Sequence, residues 1–384
     1  MTGARERRQL IVFLPYSYNG KGPAQSCVRI LKHFHAEGFD VKIYLVRQRK
    51  ELGFPAQVVE SVNWAARLLP YRVIHHSGMA ALHRTFEKAI ENLEKGSIVY
   101  FWPPVSAALV AKAKARGLIC VREMINSPIS AAKPILENAY SACDIPFPEH
   151  MAALPDVEED EELTYYDYLF SNNDEVDRYL IEMGIAPEKI LETSFGWSGE
   201  KVERAKDSAE GPLRFLFVGN GSIRKGLADL ISAWSAAGID GELAIAGSLE
   251  PEIMDRLSAA EDLGIKVLGF EKDMRAVYAN ADIFVMPTHE EGGPQVTYEA
   301  AAAGLPIITT PMGAARLVVD GETGLIVPAG DVGALTEAMR KMAAEPTLRK
   351  KLADNALQEI DYFNYENISV RKARIFKKIA DGIA

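Results

Sequence analysis

Short apolar, β-branched runs recur along the chain at the spacing of a parallel sheet. LIVFLP from Leu10, FDVKIYLV, SIVYFWPP, GLICVRE, YLFSNN and KILETSF form one series; FLFVG, ELAIAG, IKVLG, ADIFVMP, PIITT and GLIVP form a second. Each run ends in a turn signal and helix-length segments join most of them, so the pattern predicts alternating strands and helices. In KGLADLISAW, Leu227, Leu230, Ile231 and Trp234 stand at i, i+3, i+4 and i+7, the stripe of a core-facing helix. CVRILKHFHAEG reads as the helix after the opening strand, with His33 and His35 two apart on it and therefore on different faces. Between the two series, SFGWSGEKVERAKDSAEGP is polar and aperiodic. The expected organisation is α/β, with two Rossmann-like domains facing a cleft: residues 1–195, a linker at 196–212, and residues 213–363. The amphipathic, basic segment 364–384 is expected to pack back on a domain, with the first as candidate, or to lie on an acidic membrane surface.

Composition narrows the partners. A chain of 384 residues exceeds what one core usually organises, and 48% hydrophobic with 25% charged residues is an ordinary globular balance. The net charge of −10 argues against nucleic acid as a partner. No apolar run reaches the ~20 residues of a membrane-spanning helix, and the N-terminal apolar run breaks at Pro15, too short for a secretory signal core. A cytoplasmic protein is expected, with peripheral contact at the inner membrane face left open by the basic terminal segment. Cys27, Cys120 and Cys143 lack C-x-x-C spacing, so neither a disulfide framework nor a structural zinc site is expected. DVEEDEE from Asp156 reads as the acidic first turn of a helix, and His150 and His289 as surface histidines in loops.

Two stretches of the second half carry candidate chemistry. FVGNGSIRKG runs from a strand through Gly219, Asn220 and Gly221 to the cations Arg224 and Lys225, then into a helix. A glycine loop entering a helix beside positive charge suits a phosphate or diphosphate, although neither a Walker order nor G-x-G-x-x-G is present. In THEEGGPQVTYEAAAAG, Pro294 fits the first helical position and Gly304 the stop. Gly292 and Gly293 then precede a helix start whose first N–H groups, those of Gln295 and Val296, face an anion site, with Glu291 at its mouth. Glu299 follows in the second turn, ahead of four alanines, and a carboxylate beside a packed face needs a partner that the local sequence does not supply. Vicinal hydroxyls are one such partner.

The pair Glu291 and Glu299 in E-x7-E spacing, with A-x-A-A-G-L-P, FVG…KG, ADIFVMPT and GETGLIVPAGD, resembles the group-one, family-four retaining glycosyltransferases of the GT-B fold, across Leu213 to about Leu357. In the first half the resemblance rests on a strand and glycine loop, with Gly20 and Gly22, on VREMINSP, and on YDYLFSNNDEVDRYLIEMGIAPEKI. It implies hexosyl transfer from a nucleoside diphosphate sugar to a hydroxyl of a glycan, lipid-linked or small-molecule acceptor, with retention and with neither cofactor nor metal. It implies further that Glu299 holds the ribose hydroxyls, that Glu291 lies by the donor sugar, and that Lys225 neutralises the departing diphosphate. Gly219, Gly292, Gly293, Gln295 and Val296 would complete the donor site. Two positions depart from the pattern. Asn220 stands where many relatives carry arginine, leaving Arg224 to supply that charge, and Glu123 or Asn126 stands in for a histidine expected after LICVREM. The other readings these residues allow are a nucleotide-sugar-binding protein without transfer activity and a nucleotide-sugar epimerase.

Overall fold

The computed structural model describes residues 7–62, 71–199, 201, 212–258 and 263–383; most of the expected linker, 202–211, lies outside them. Strands β1 (Arg8–Tyr18), β2 (Phe39–Gln48), β3 (Gln57–Glu60), β4 (Ile98–Phe101), β5 (Ile119–Glu123), β6 (Tyr168–Ser171) and β7 (Ile190–Glu192) form a sheet in the order β3-β2-β1-β4-β5-β6-β7. A second sheet, β10-β9-β8-β11-β12-β13, is built from β8 (Leu213–Val218), β9 (Gly241–Ala246), β10 (Ile265–Gly269), β11 (Ile283–Met286), β12 (Ile307–Thr309) and β13 (Leu325–Ile326). Neighbouring strands pair in parallel, β1 with β2 and β4, and β8 with β9 and β11. β4 and β11 are buried along their whole length, as the continuous apolar runs require of strands covered on both faces. The chain thus forms two Rossmann-like α/β domains. Strand β3 was not among the apolar runs: QVVE is a short, half-exposed edge strand.

In each sheet the strand order reverses at one place, between β1 and β4 and between β8 and β11. Loops leaving the C-terminal ends of strands at such a point diverge and leave a crevice. The glycine loop at Gly20–Gly22 leaves β1; the loop to Arg224 and Lys225 leaves β8, and that to Glu290 and Glu291 leaves β11.

The helix Gly22–Leu31 stops sooner than its sequence pattern suggests, so His33 and His35 lie in the turn beyond it, and the His33 N–H donates to Ser369 Oγ at 3.0 Å. The terminal helix Tyr365–Asp381 packs against it, with Ile368, Ala373, Phe376 and Ile379 buried in the same core as Leu10, Val12, Ile43 and Phe170. Lys372, read as part of a basic face, is wholly buried, with Nζ 2.7 Å from both Glu123 oxygens. The chain leaves and re-enters the first sheet side by side: Trp197 N–H donates to Phe363 O and Tyr365 N–H to Trp197 O, each at 3.0 Å.

Candidate active site at the seam of the two sheets

The loops after β8 and β11 are locked together before either meets a ligand. His289 N–H donates to Arg224 O at 2.9 Å, and Thr288 Oγ1 donates to the same carbonyl at 3.1 Å. Gly226 has φ +70°, and a Cβ there would lie 1.9 Å from Pro287 O, so only glycine lets the loops approach this closely. The result sets two consecutive cations against two consecutive carboxylates. Arg224 Nη1 lies 2.7 Å from Glu290 Oε2, and Lys225 Nζ contacts the Glu291 carboxylate.

These two ion pairs face different cavities. Lys225 and Glu291 line a space of about 590 Å³ between the two sheets, together with Gly20, Gly22, Gly219, Gly293, Gln295 and Val296. Lys21 and Arg29 enter it from the first half, so among the described residues three cations and one carboxylate line this space. Arg224 and Glu290 line a neighbouring space, also about 590 Å³, on the side of the first sheet. Ile125 and Asn126 belong to the lining of both and mark where the two meet. Glu290 bridges the halves: its Oε1 accepts from Ser127 N–H at 3.1 Å. A Cβ at Gly292 would sit 2.1 Å from Ile125 O, so the seam closes tightly just beside this junction.

Burial and the nearby Arg224 press the Lys225 ammonium down to about 7, against the pull of Glu290. Its contact with Glu291 favours the charged form. Glu299 has the partner its own helix could not provide: Tyr278 OH donates to Glu299 Oε2 at 2.9 Å. Burial raises the Glu299 pKa, while the Tyr278 hydrogen bond and the charge of Arg29 hold it down. That helix spans Gln295–Ala302, with Pro294 as its N-cap instead of its first residue. The Gln295 side chain reaches across the seam, donating to Ser26 Oγ at 3.2 Å and accepting from Tyr365 OH at 2.9 Å.

Several expectations change. Arg224 lines the neighbouring space instead of the cationic cavity and is paired with Glu290. Asn220 itself turns away, donating to Glu250 at 2.8 Å and accepting from Ser248 Oγ at 2.7 Å. Neither Gly292 nor Glu299 belongs to the cavity lining. Glu123 is committed to Lys372, Tyr100 and Asn172 in the first core, leaving Asn126 as the residue after LICVREM that reaches both cavities. His289 is no surface histidine; its ring pairs with Asp229 at 2.6 Å, both side chains mostly buried. In the helix Asp156–Thr164, Glu159 and Glu162 are more than a charged first turn, because they hold the buried Arg122 at 2.7 and 2.5 Å. Arg29 and Lys21 were not singled out in the sequence. Their only local signal is one cation inside the first glycine loop and one in the helix that follows it. The three cysteines carry free thiols. Among the described residues no helix is long and apolar enough to cross a membrane.

Comparison with known proteins bears on the second half most directly. Residues 212–345 match the family model of the glycosyl transferases group 1. The capsular polysaccharide biosynthesis glycosyltransferase CapM of Staphylococcus aureus is 33% identical over 153 residues, 38% of this chain and 40% of that relative. The chain therefore matches less than half the length of this curated relative. Among solved structures, sucrose-phosphate synthase from Thermosynechococcus elongatus superposes with a TM-score of 0.74 at 16% identity, over 98% of this chain and 100% of that one. The Anabaena protein HepE, in complex with UDP and glucose, superposes with a TM-score of 0.63 at 14% identity, over 97% and 100%. The likeness is one of fold, and that fold is GT-B.

Proposed function

We propose that the chain is a glycosyltransferase that binds a nucleoside diphosphate sugar in the cationic cavity and transfers the sugar to a hydroxyl presented from the neighbouring one. The observation that carries this reading is the charge balance of the first cavity: Lys21, Arg29 and Lys225 against Glu291 alone. At an effective dielectric of ~20, each cation within about 4 Å of a diphosphate contributes roughly 4 kcal/mol before desolvation. The Anabaena protein of like fold is described with UDP and glucose, which agrees with such a ligand.

On this reading the helix start at Gln295 and Val296 and the loop at Gly219 take the diphosphate through backbone N–H groups. Lys225 exchanges Glu291 for the phosphate and stabilises the leaving group, an electrostatic role of the oxyanion type. Glu291, released, faces the donor sugar, while Glu299, oriented by Tyr278, accepts from the ribose hydroxyls. The protein's own cations meet the leaving-group charge, so transfer is metal-independent and needs no cofactor. The acceptor hydroxyl attacks from the face that the diphosphate leaves, giving its proton to the departing phosphate oxygen, and the anomeric configuration is retained.

A thermal-shift screen of uridine, guanosine and adenosine diphosphate sugars, followed by turnover of any hit with and without EDTA, tests this. Stabilisation by one donor, chelation-resistant turnover and an unchanged anomeric configuration by proton NMR are expected. Turnover abolished by EDTA and rescued by magnesium or manganese, or an inverted product, would overturn the mechanism.

A further inference from the structure

The second cavity differs in chemistry from the first. Among the described residues its charged wall consists of Arg122, Lys133 and Arg224 against Glu158, Glu159, Glu162 and Glu290. Every one of those cations is already engaged: Arg122 by Glu159 and Glu162, Lys133 by Asp156 at 3.0 Å, and Arg224 by Glu290. Burial lowers the His83 pKa, favouring the neutral ring, against the pull of Glu87. Much of the remaining wall is apolar, including Met79, Val105, Ile129, Leu136, Phe147 and Met151.

Among the described residues the carboxylates of this wall exceed its cations by one, whereas in the first cavity the cations are in excess, so a phosphate or carboxylate is compensated less here than there. An apolar body gains about fourfold in affinity for each methylene it buries. A space of this volume suits a ligand of roughly drug size, most of whose surface it can cover. Asn126 lies where the two cavities meet, which is where a reacting hydroxyl has to be, and Glu290 lines the second cavity and accepts from Ser127 N–H next to it.

We infer that the acceptor is an uncharged alcohol with an apolar body, its hydroxyl at Asn126 and Glu290 and its body against Phe147, Met151 and Val105. The term acceptor rests on the transferase reading; the ligand class rests on the wall alone.

The test is calorimetric and needs no turnover. The full chain, saturated with whichever nucleoside diphosphate stabilises it, is titrated with butyl, hexyl and octyl β-D-glucoside below micelle-forming concentrations, and with octyl phosphate. One site per chain is expected, with affinity rising about fourfold per methylene and octyl phosphate weaker than octyl glucoside by roughly tenfold or more. Met151→Glu and Val105→Glu should each abolish the chain-length dependence, and Phe147→Ala should weaken it. Retained stabilisation by the nucleotide shows that these variants are folded. Affinity independent of chain length, a preference for octyl phosphate, or binding only to a long-chain alcohol embedded in phosphatidylcholine vesicles would each overturn the inference. Graded binding without transfer to any of these alcohols would instead refute the transferase reading and leave the ligand class standing.

Discussion

Lys225 is the side chain on which the charge balance of the cationic cavity turns. Burial and Arg224 press the lysine pKa down to about 7, while the Glu291 carboxylate beside it favours the ammonium. A diphosphate placed beside it favours the ammonium, so the bound-state pKa is higher than the free one. The affinity gained from the charge is therefore complete below about pH 7 and is lost as pH rises through the bound-state pKa. Binding at pH 8 should take up a fraction of a proton, seen as a difference in calorimetric enthalpy between buffers of unlike ionisation heat. Equal enthalpies, with affinity flat from pH 6 to pH 9, would show that Lys225 stays charged throughout. Glu299→Ala should weaken nucleoside diphosphate binding by about 1–3 kcal/mol, the usual loss for a charged hydrogen bond. Tyr278→Phe should cost less, since it only orients that carboxylate. Calorimetry on the folded variants separates the two, and unchanged affinity for Glu299→Ala would return that residue to a structural role. Single residues were legible where local backbone chemistry selects them: the glycines, the cation pair and the E-x7-E carboxylates. Their partners were not, because Tyr278, Glu250 and Glu290 meet Glu299, Asn220 and Arg224 through folding and not through any sequence period.

The elements follow the apolar pattern closely, because strands of a covered parallel sheet need continuous apolar runs and the sequence has them. The exceptions have physical reasons. β3 is a half-exposed edge strand with little apolar signal, and the helix after Gly22 ends early because the terminal helix occupies the space beyond Leu31. The terminal helix also shows how a surface pattern misleads. Its basic face includes Lys372, whose charge is buried against Glu123, with burial pulling the lysine pKa down and Glu123 opposing it. Removing one member of such a pair leaves the other uncompensated, at about 3–5 kcal/mol. Lys372→Met should lower stability by that much in denaturant titration. Adding Glu123→Gln should recover a large part of the loss. If the double variant were no better than the single, the pair would not be the source of the cost.

At the scale of the whole molecule, two passes of the chain, paired at Trp197 and Tyr365, join two sheets whose switch points open toward each other. Between them lie two cavities of similar size and opposite character, one with surplus positive charge and one largely apolar with its cations ion-paired, meeting at Ile125 and Asn126. This division was not visible in the sequence, where Arg224 and Lys225 are adjacent cations of one loop; only the fold turns neighbouring residues into different spaces. The most direct measurement is the rate of nucleoside diphosphate release from the stabilising donor, with an alcohol acceptor present, by the parent chain and by Lys225→Ala. Turnover by the parent and a loss of about a hundredfold or more in the variant, the scale for removing one transition-state donor, are expected, with the nucleotide still bound. Equal rates in both, or no release from any donor by the parent, would contradict transfer at this cavity.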